Sequence, residues 1–517
     1  MFLYKTDKHG ILQKFKARLV VWGNQQAKNG LPTRATTLAS ATFRTMMAIV
    51  AKYDLETQQM DAVNAFVHCK LDETVFMKLP SGFEKPGKVI RLRKALYGLR
   101  RSPLLWQKKL TKTFRKMGFR EVPQDPCVMI KGGVIVFFFV DDIVFCYRKK
   151  DKGVVDAARA TLEGKFQLSF LGELKWFLGI HVLRDRQAKK LWLSQRAYID
   201  KLTDRFKIDT TGRLPDTPMA TEVKLEPPTG TATRAEQERF QRKTGSILFA
   251  AIITRPDVAF ACSQLARFNT NPDQSHHEAA DRVLKYLHRT RGYAIQFGGQ
   301  EDDKASLICA SDASFADNPD RKSSQGYIMT VFGGPVAWKA NKQDTVTTSS
   351  TEAELLAMSQ TTKEAIFLNR LLKALLPQTD EFPTILGDNK QTLRLLTEES
   401  AKLATKLKHI DIHTHWLRQE VQQGRIRVDW VPTTQMPADG FTKSLGGQKH
   451  AAFVDMIGLT DETERLDREE RMESLRDKIR APKQQGNDGD EETLILSTEG
   501  KARRRYRQSA PDTHRER

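Results

Sequence analysis

The segment from Val134 to Phe145 limits what this chain can become more than any other. It reads Val134-Ile135-Val136-Phe137-Phe138-Phe139-Val140, then Asp141-Asp142, then Ile143-Val144-Phe145. β-Branched and aromatic residues in runs of this length make buried strands, and Gly132-Gly133 ahead of them opens the first. Gly133 to Tyr147 is therefore expected to form two strands joined tightly through the acidic pair. Two carboxylates inside an apolar β segment are costly unless a cation or hydrogen bonds compensate them. Taken alone, a turn that exposes both acids to water is the plainer explanation.

The chain is 517 residues long, too long for one ordinary core, and roughly two to four domains are expected. Aliphatic and aromatic residues make up 39% of it, an ordinary share for a globular protein. No apolar run approaches the ~20 residues needed to cross a bilayer, so no membrane partner is expected. The opening Met-Phe-Leu-Tyr-Lys-Thr-Asp-Lys is too short in apolar residues for a signal peptide. Cys69, Cys127, Cys146, Cys262 and Cys309 are scattered, with no CxxC pair and no zinc-knuckle spacing. Neither a disulfide framework nor a structural zinc is expected, and an intracellular location is.

The formal charge of +21 suggests a polyanionic partner, because each cation placed on a phosphate releases counterions. Its distribution says more. Lys85 to Arg120 holds thirteen Lys or Arg residues and no acid. Tyr97, Trp106, Phe114 and Phe119 lie among them, so the stretch is a folded basic segment and not a tail. Nucleic acid is the better explanation than a merely solubilising face.

Periodicity gives the organisation. Thr42 to Tyr53 reads as a helix, with Phe43, Met46, Met47, Ile49 and Val50 at three-to-four spacing. Thr210 to Thr233 is a Thr/Pro/Gly-rich linker or long loop, and helical patterns return from Gln237 to His288. A second α/β pattern follows: strands before Asp312, at Gly326 to Phe332, Thr384 to Leu386 and Ile426 to Val431, and a helix from Thr351 to Leu376. Asp461 to Arg480 alternates acids and bases at helix-pair spacing, and Gln484 to Arg517 reads as disordered.

Two sets of acids stand out. Asp61, in Gln59-Met60-Asp61-Ala62, adds a third carboxylate to Asp141 and Asp142. Phosphoryl transfer to a primer hydroxyl suits two hard cations held by oxygen ligands from separate segments. Spacing leaves open whether Asp61 meets the pair. Asp312, Glu354, Asp388 and Asp439 lie at strand ends and helix starts of the second α/β pattern, as a four-carboxylate, two-metal nuclease needs; each alone reads as a solvated acid. His409, His413 and His415 are expected to serve helix packing more than a metal, and His276-His277 a helix surface.

The chain resembles the copia-type (Pseudoviridae-like) LTR retrotransposon Pol polyproteins. The motifs that carry the resemblance run in order: Lys16-Ala17-Arg18-Leu19-Val20, Gln59-Met60-Asp61 with Ala65-Phe66, Val75 to Pro80 with Gly82-Phe83, and Leu96-Tyr97-Gly98-Leu99 with Pro103 and Trp106. Asp125-Pro126-Cys127-Val128, Phe139-Val140-Asp141-Asp142, Phe177-Leu178-Gly179-Ile180, Leu193-Ser194-Gln195 and Thr254 to Ala259 follow. Ser311-Asp312-Ala313, Gly326-Tyr327, Trp338-Lys339, Ser349 to Glu354, Asp388-Asn389, Lys408 to Ile412 and Ala438-Asp439 continue it.

The resemblance implies an α/β and α+β multidomain protein: a right-hand polymerase of fingers, palm and thumb, then an RNase H-like α/β domain and a charged tail. Residues 1–205 would be fingers and palm, beginning inside the fingers. Residues 206–300 would be thumb or connection with the linker 210–233, 301–450 the RNase H-like domain, and 451–517 a charged helix and disordered tail. Asp61, Asp141 and Asp142 would be catalytic metal ligands of the polymerase. Asp312, Glu354, Asp388 and Asp439 would be those of the RNase H, with Glu352 the rival of Glu354. Lys16, Arg18, Phe66, Tyr97 and Gly98 would bind the nucleotide, Phe66 as a gate against a ribose 2′-OH. The cofactor would be Mg²⁺, two ions per active site, with Mn²⁺ as the alternative. The partners would be an RNA template, a DNA primer, the RNA–DNA hybrid and dNTPs, in a cytoplasmic retroelement particle or the nucleus. Ser314-Phe315 stands in place of the usual Asp-Trp, and the start inside the fingers keeps two alternatives open: a remnant that only binds nucleic acid, or RNase H activity alone.

Overall fold

The structure is a computed structural model, and it describes residues 2–6, 12–27, 30–221, 225–299, 307–378, 382–398 and 408–480. The expected disordered tail, Gln484 to Arg517, lies outside the described residues.

Val134–Phe139 and Asp142–Tyr147 pair antiparallel with Phe139 opposite Asp142. Val140 and Asp141 are left as the two-residue turn, and Val140 takes φ 54°, a left-handed conformation that costs a β-branched residue about 1–3 kcal/mol. The strands belong to a six-stranded antiparallel sheet. Its order is Leu168–Gly172, Glu56–Ala62, Asp142–Tyr147, Val134–Phe139, Asp125–Lys131, Arg120–Val122. Val134 to Phe138 and Ile143 to Tyr147 are all buried, the mark of strands covered on both faces. The helix Ser40–Lys52 is buried from Thr42 to Ala51, so it is covered on every side.

A second sheet draws on stretches remote in sequence: Trp176–Phe177, Ile180–Asp185, Lys190–Ser194, Tyr293–Gly298 and Leu459–Asp461, all antiparallel. Between its third and fourth strands the chain forms the helices Arg196–Phe206, Arg234–Ile253, Ala259–Ala266 and Gln274–Arg289, which share a core of Phe240, Ile247, Val258, Leu265, Val283 and Leu287. His276 and His277, expected on a helix surface, are instead buried, both rings against Phe240 of that core. His276 belongs to a capping box with Asp273, and His277 stands edge-on to Phe240 with ring centroids 5.2 Å apart.

The third sheet has the order Gly334–Lys342, Ser324–Val331, Leu307–Ser314, Thr384–Gly387, Arg427–Trp430. Its first three strands are antiparallel and the last two join in parallel, each after a helix, as parallel crossovers require. The long helix Ser350–Leu375 contributes Leu355, Met358 and Leu371 to the same core as Ile328 and Ile385 of the sheet. The helix expected at Asp461 to Arg480 is Thr463–Arg480.

Candidate active sites

The three acids of the first set, Asp61, Asp141 and Asp142, meet because of register. Asp61 lies opposite Asp142 on neighbouring strands, and the carbonyl of Asp141 in the adjoining turn accepts from the N–H of Ala62 at 2.9 Å. All three are half-buried. Burial first, then the charges of Asp141 and Asp61, push the Asp142 carboxyl up to about 6 against a hydrogen bond from Gln59. Gln59 Nε2 donates to Asp142 Oδ1 at 3.2 Å and to the carbonyl of Trp176 at 3.0 Å. Trp106 Nε1 donates to the carbonyl of Val140 at 2.6 Å, so a buried indole fixes the strained turn.

Aromatic residues form one wall. Phe66, buried in the short 3-10 turn Ala65–His68, sits 4.7 Å from the Tyr97 ring, and the Arg18 guanidinium lies 5.2 Å over that ring. Burial, then Asp141, raises the Tyr97 phenol, Arg18 works against this, and Asp61 adds to it; the ring therefore feels both acids. Gly98 has a packing reason for its place. At φ 91° a Cβ there would stand 1.9 Å from the carbonyl oxygen of Val21, whose N–H donates to the Tyr97 carbonyl at 2.8 Å. The side chain of Lys16 lies outside the described residues.

The second site is tighter. Asp312, Glu354 and Asp388 bring one carboxylate oxygen each within 4.8 Å of one another; among the described residues Asp61, Asp141 and Asp142 form no cluster that close. Asp312 comes from the central strand and is 4% exposed, Glu354 from the first turns of the long helix and is 8% exposed. Asp388 follows the strand Thr384–Gly387, and its Oδ2 accepts from Thr433 Oγ1 at 2.7 Å. Burial, with Asp439 and Asp388, pushes Asp312 up to about 6 against a hydrogen bond from Thr442 and the charge of Lys443. Burial, then Asp312 and Asp388, hold Glu354 well above the usual carboxylate range.

The rivalry between the two glutamates has a geometric answer. Glu352 accepts from the N–H and the hydroxyl of Thr348, both at 2.7 Å, so its carboxylate is engaged at the start of the helix. Glu354 alone of the two joins the cluster.

Asp439 opens the 3-10 turn Asp439–Phe441 and stands outside that trio, its Oδ1 2.7 Å from Lys443 Nζ. Burial raises Asp439 and Lys443 lowers it, with a net upward shift. The turn reaches the central strand because Gly326, opposite Asp312, has no side chain: a Cβ there would stand 2.4 Å from Phe441 Cβ. Of the histidines, His413 Nδ1 lies 2.7 Å from Ser359 Oγ and His415 is exposed, while the side chain of His409 lies outside the described residues.

Residues 1–221 match the family described as reverse transcriptase (RNA-dependent DNA polymerase). The chain is 33% identical over 475 residues to the retrovirus-related Pol polyprotein from transposon TNT 1-94 of Nicotiana tabacum, covering 89% of this chain and 35% of that protein. It is 32% identical over 471 residues to that from transposon RE1 of Arabidopsis thaliana, covering 89% and 31%.

The chain belongs to the copia-type retrotransposon Pol polyproteins.

This copia-type Pol chain spans about a third of the length of those curated relatives. Among solved structures it is similar to a foamy viral protease-reverse transcriptase in complex with double-stranded DNA, with a TM-score of 0.42 and 15% identity over 73% of this chain and 57% of that one. Several residues that complete the two sites of the copia-type chain went unread in its sequence. Gln59 and Trp106 lie within the motifs quoted above and Thr433, Thr442 and Lys443 outside them, and nothing in their spacing says which acid or turn each one holds.

Proposed function

We propose that this copia-type Pol chain is an RNA-directed DNA polymerase that also cuts the RNA strand of the RNA–DNA hybrid. The observation that carries this reading is the convergence of two separate carboxylate groups, each on its own sheet. One joins Asp61 and Asp142 across a strand pair beside the Asp141 turn, and the other is the Asp312–Glu354–Asp388 cluster.

Hard oxygen donors of this kind suit magnesium, with manganese as a substitute. Fit is supported by the electrostatics: burial first, and neighbouring carboxylates after it, hold up Asp142, Asp312, Glu354 and Asp439, a cost that a divalent cation would relieve. Asp61, Asp141 and Asp142 would hold Mg²⁺ at the polymerase site, and Asp312, Glu354, Asp388 and Asp439 at the nuclease site. When bound, two such cations lower the pKa of the attacking oxygen and stabilise the leaving oxygen of a phosphoryl transfer.

The protein's own residues then divide the remaining work. Gln59 keeps Asp142 oriented by donating to one of its oxygens. Trp106 keeps the turn from relaxing. Phe66, backed by Tyr97, places a rigid ring where a deoxyribose would lie and a 2′-OH would collide, and Arg18 offers positive charge to a triphosphate. The basic segment Lys85 to Arg120 supplies charge for a template–primer duplex.

The test is Mg²⁺-dependent primer extension on an RNA template, paired with hybrid cleavage. Asp141→Asn abolishes extension and leaves cleavage; Asp388→Asn does the reverse. A folded chain that binds hybrid but performs neither reaction overturns the proposal. Phe66→Ala raises ribonucleotide incorporation relative to deoxynucleotide incorporation by about tenfold or more, a discrimination worth over 1.4 kcal/mol.

A further inference from the structure

Asp439 stands apart from the other carboxylates of the nuclease site. The other three gather within 4.8 Å, whereas Asp439 holds a lysine, with Lys443 Nζ 2.7 Å from its Oδ1. This is not a surface lysine that happens to drift near an acid. The N–H of Lys443 donates to the Asp439 carbonyl at 3.3 Å. Thr442 Oγ1 shares its one proton between that carbonyl, at 3.0 Å, and Asp312 Oδ2. Residues 439–443 are thus clamped onto the central strand, and the clamp aims the ammonium at the acids.

The two partners differ in their access to water. Asp439 is 17% exposed at its side chain and Lys443 45%. The lysine reaches in from the solvent side, and rotation about its own side-chain bonds is enough to withdraw it. An ammonium and a divalent cation compete for one carboxylate, because each excludes the other by charge as well as by volume.

Resting on the nuclease reading above, we propose that Lys443 is the built-in counter-ion of this site: in the metal-free chain its ammonium fills the Asp439 side, and the second divalent cation enters there only as Lys443 withdraws. Cation uptake is then sequential and unequal. The Asp312–Glu354–Asp388 trio loads first, and the Asp439 side loads at higher concentration.

The experiment is Mn²⁺ binding by titration calorimetry on the full chain without nucleic acid, in an Asp61→Asn/Asp141→Asn/Asp142→Asn background that removes the polymerase-side carboxylates. The background chain takes up one Mn²⁺ and then a weaker second. Lys443→Met moves the second uptake to concentrations lower by about tenfold or more, the effect of removing a like charge from contact range, and leaves the first within about twofold. Lys443→Arg keeps the second uptake weak. If Lys443→Met melts early, Lys443→Gln is read in its place.

Isotherms for Lys443→Met and Lys443→Gln that superimpose on the background chain overturn the proposal. So does unchanged Mn²⁺ uptake joined to weaker hybrid binding, which assigns Lys443 to the nucleic acid. Uptake that Asp312→Asn fails to remove overturns the nuclease reading itself, and this outcome is distinct because it does not depend on residue 443.

Discussion

Val140 sits at φ 54° in the turn that presents Asp141 and Asp142, and the Trp106 hydrogen bond to its carbonyl is what holds that conformation from the side. Trp106→Phe keeps an aromatic ring, smaller than the indole, and removes the donor. It should cost about 1–3 kcal/mol in thermal unfolding, the usual penalty for a buried acceptor left unpaired. It should slow primer extension about tenfold or more, while hybrid cleavage stays within about twofold. Equal losses in both reactions would show a general fold defect instead. The two glutamates make a matched pair of tests. Glu354→Gln removes a carboxylate whose charged form is disfavoured by burial and by Asp312 and Asp388, so the metal-free chain at neutral pH should melt no earlier, yet cleave nothing. Glu352→Ala releases the Thr348 contacts, costs about 1–3 kcal/mol and spares cleavage. The sequence exposed the acids, since carboxylates in apolar surroundings are conspicuous. It did not expose Gln59, Thr442 or Trp106, because a neutral donor's partner is fixed by the tertiary path and leaves no trace in spacing.

Elements were legible where their own side chains decide them. The helix expected at Thr42 to Tyr53 is Ser40–Lys52, and the hairpin around Asp141-Asp142 has the expected strands, because period and composition agree there. The histidine pair was misjudged for a readable reason. His276 and His277 stand four and three residues before Ala280, on the stripe that continues through Val283, Leu284 and Leu287, and only their polarity argued for the surface. Burial, then Lys243 and Arg239, lowers the His277 imidazole below its usual value. The unfolded chain therefore binds more protons across the interval below ~6.5, and stability falls as pH drops through it. Neither ring nitrogen of His277 has a hydrogen-bond partner among the described residues. His277→Leu should accordingly raise the melting temperature at neutral pH, by the equivalent of about 1 kcal/mol, and flatten the loss of stability between pH 7 and 5. Urea unfolding at a series of pH values checks both, and an unaltered acid limb would show that His277 does not contribute to it.

At the scale of the whole molecule, remote stretches are fastened together by a buried cation that no local pattern announces. Arg44, on the helix packed behind the six-stranded sheet, is 5% exposed, and its partners are backbone carbonyls. Nε donates to Val336 at 2.7 Å, and Nη1 donates to Ile252 at 2.7 Å and to Ile253 at 2.8 Å. The guanidinium also lies 3.9 Å over the Trp338 ring, whose Nε1 donates to the Ala251 carbonyl at 2.7 Å. Burial lowers the Arg44 pKa to about 9, so a real electrostatic cost is borne at this point. Two terms offset it: the negative end of the helix Arg234–Ile253, where Ile252 and Ile253 expose their carbonyls, and the cation–π contact. One planar fork thus links the helix Ser40–Lys52, the end of Arg234–Ile253 and the edge strand Gly334–Lys342. A lysine carries the charge but neither the fork nor the flat face. Arg44→Lys and Arg44→Met should both lower stability by on the order of 2–3 kcal/mol, from buried carbonyls left without donors. They should also split a single calorimetric transition into two, as the polymerase and nuclease parts come to unfold separately. A melt that stays single in both variants would mean that the apolar contacts around Arg44 hold these parts together without it.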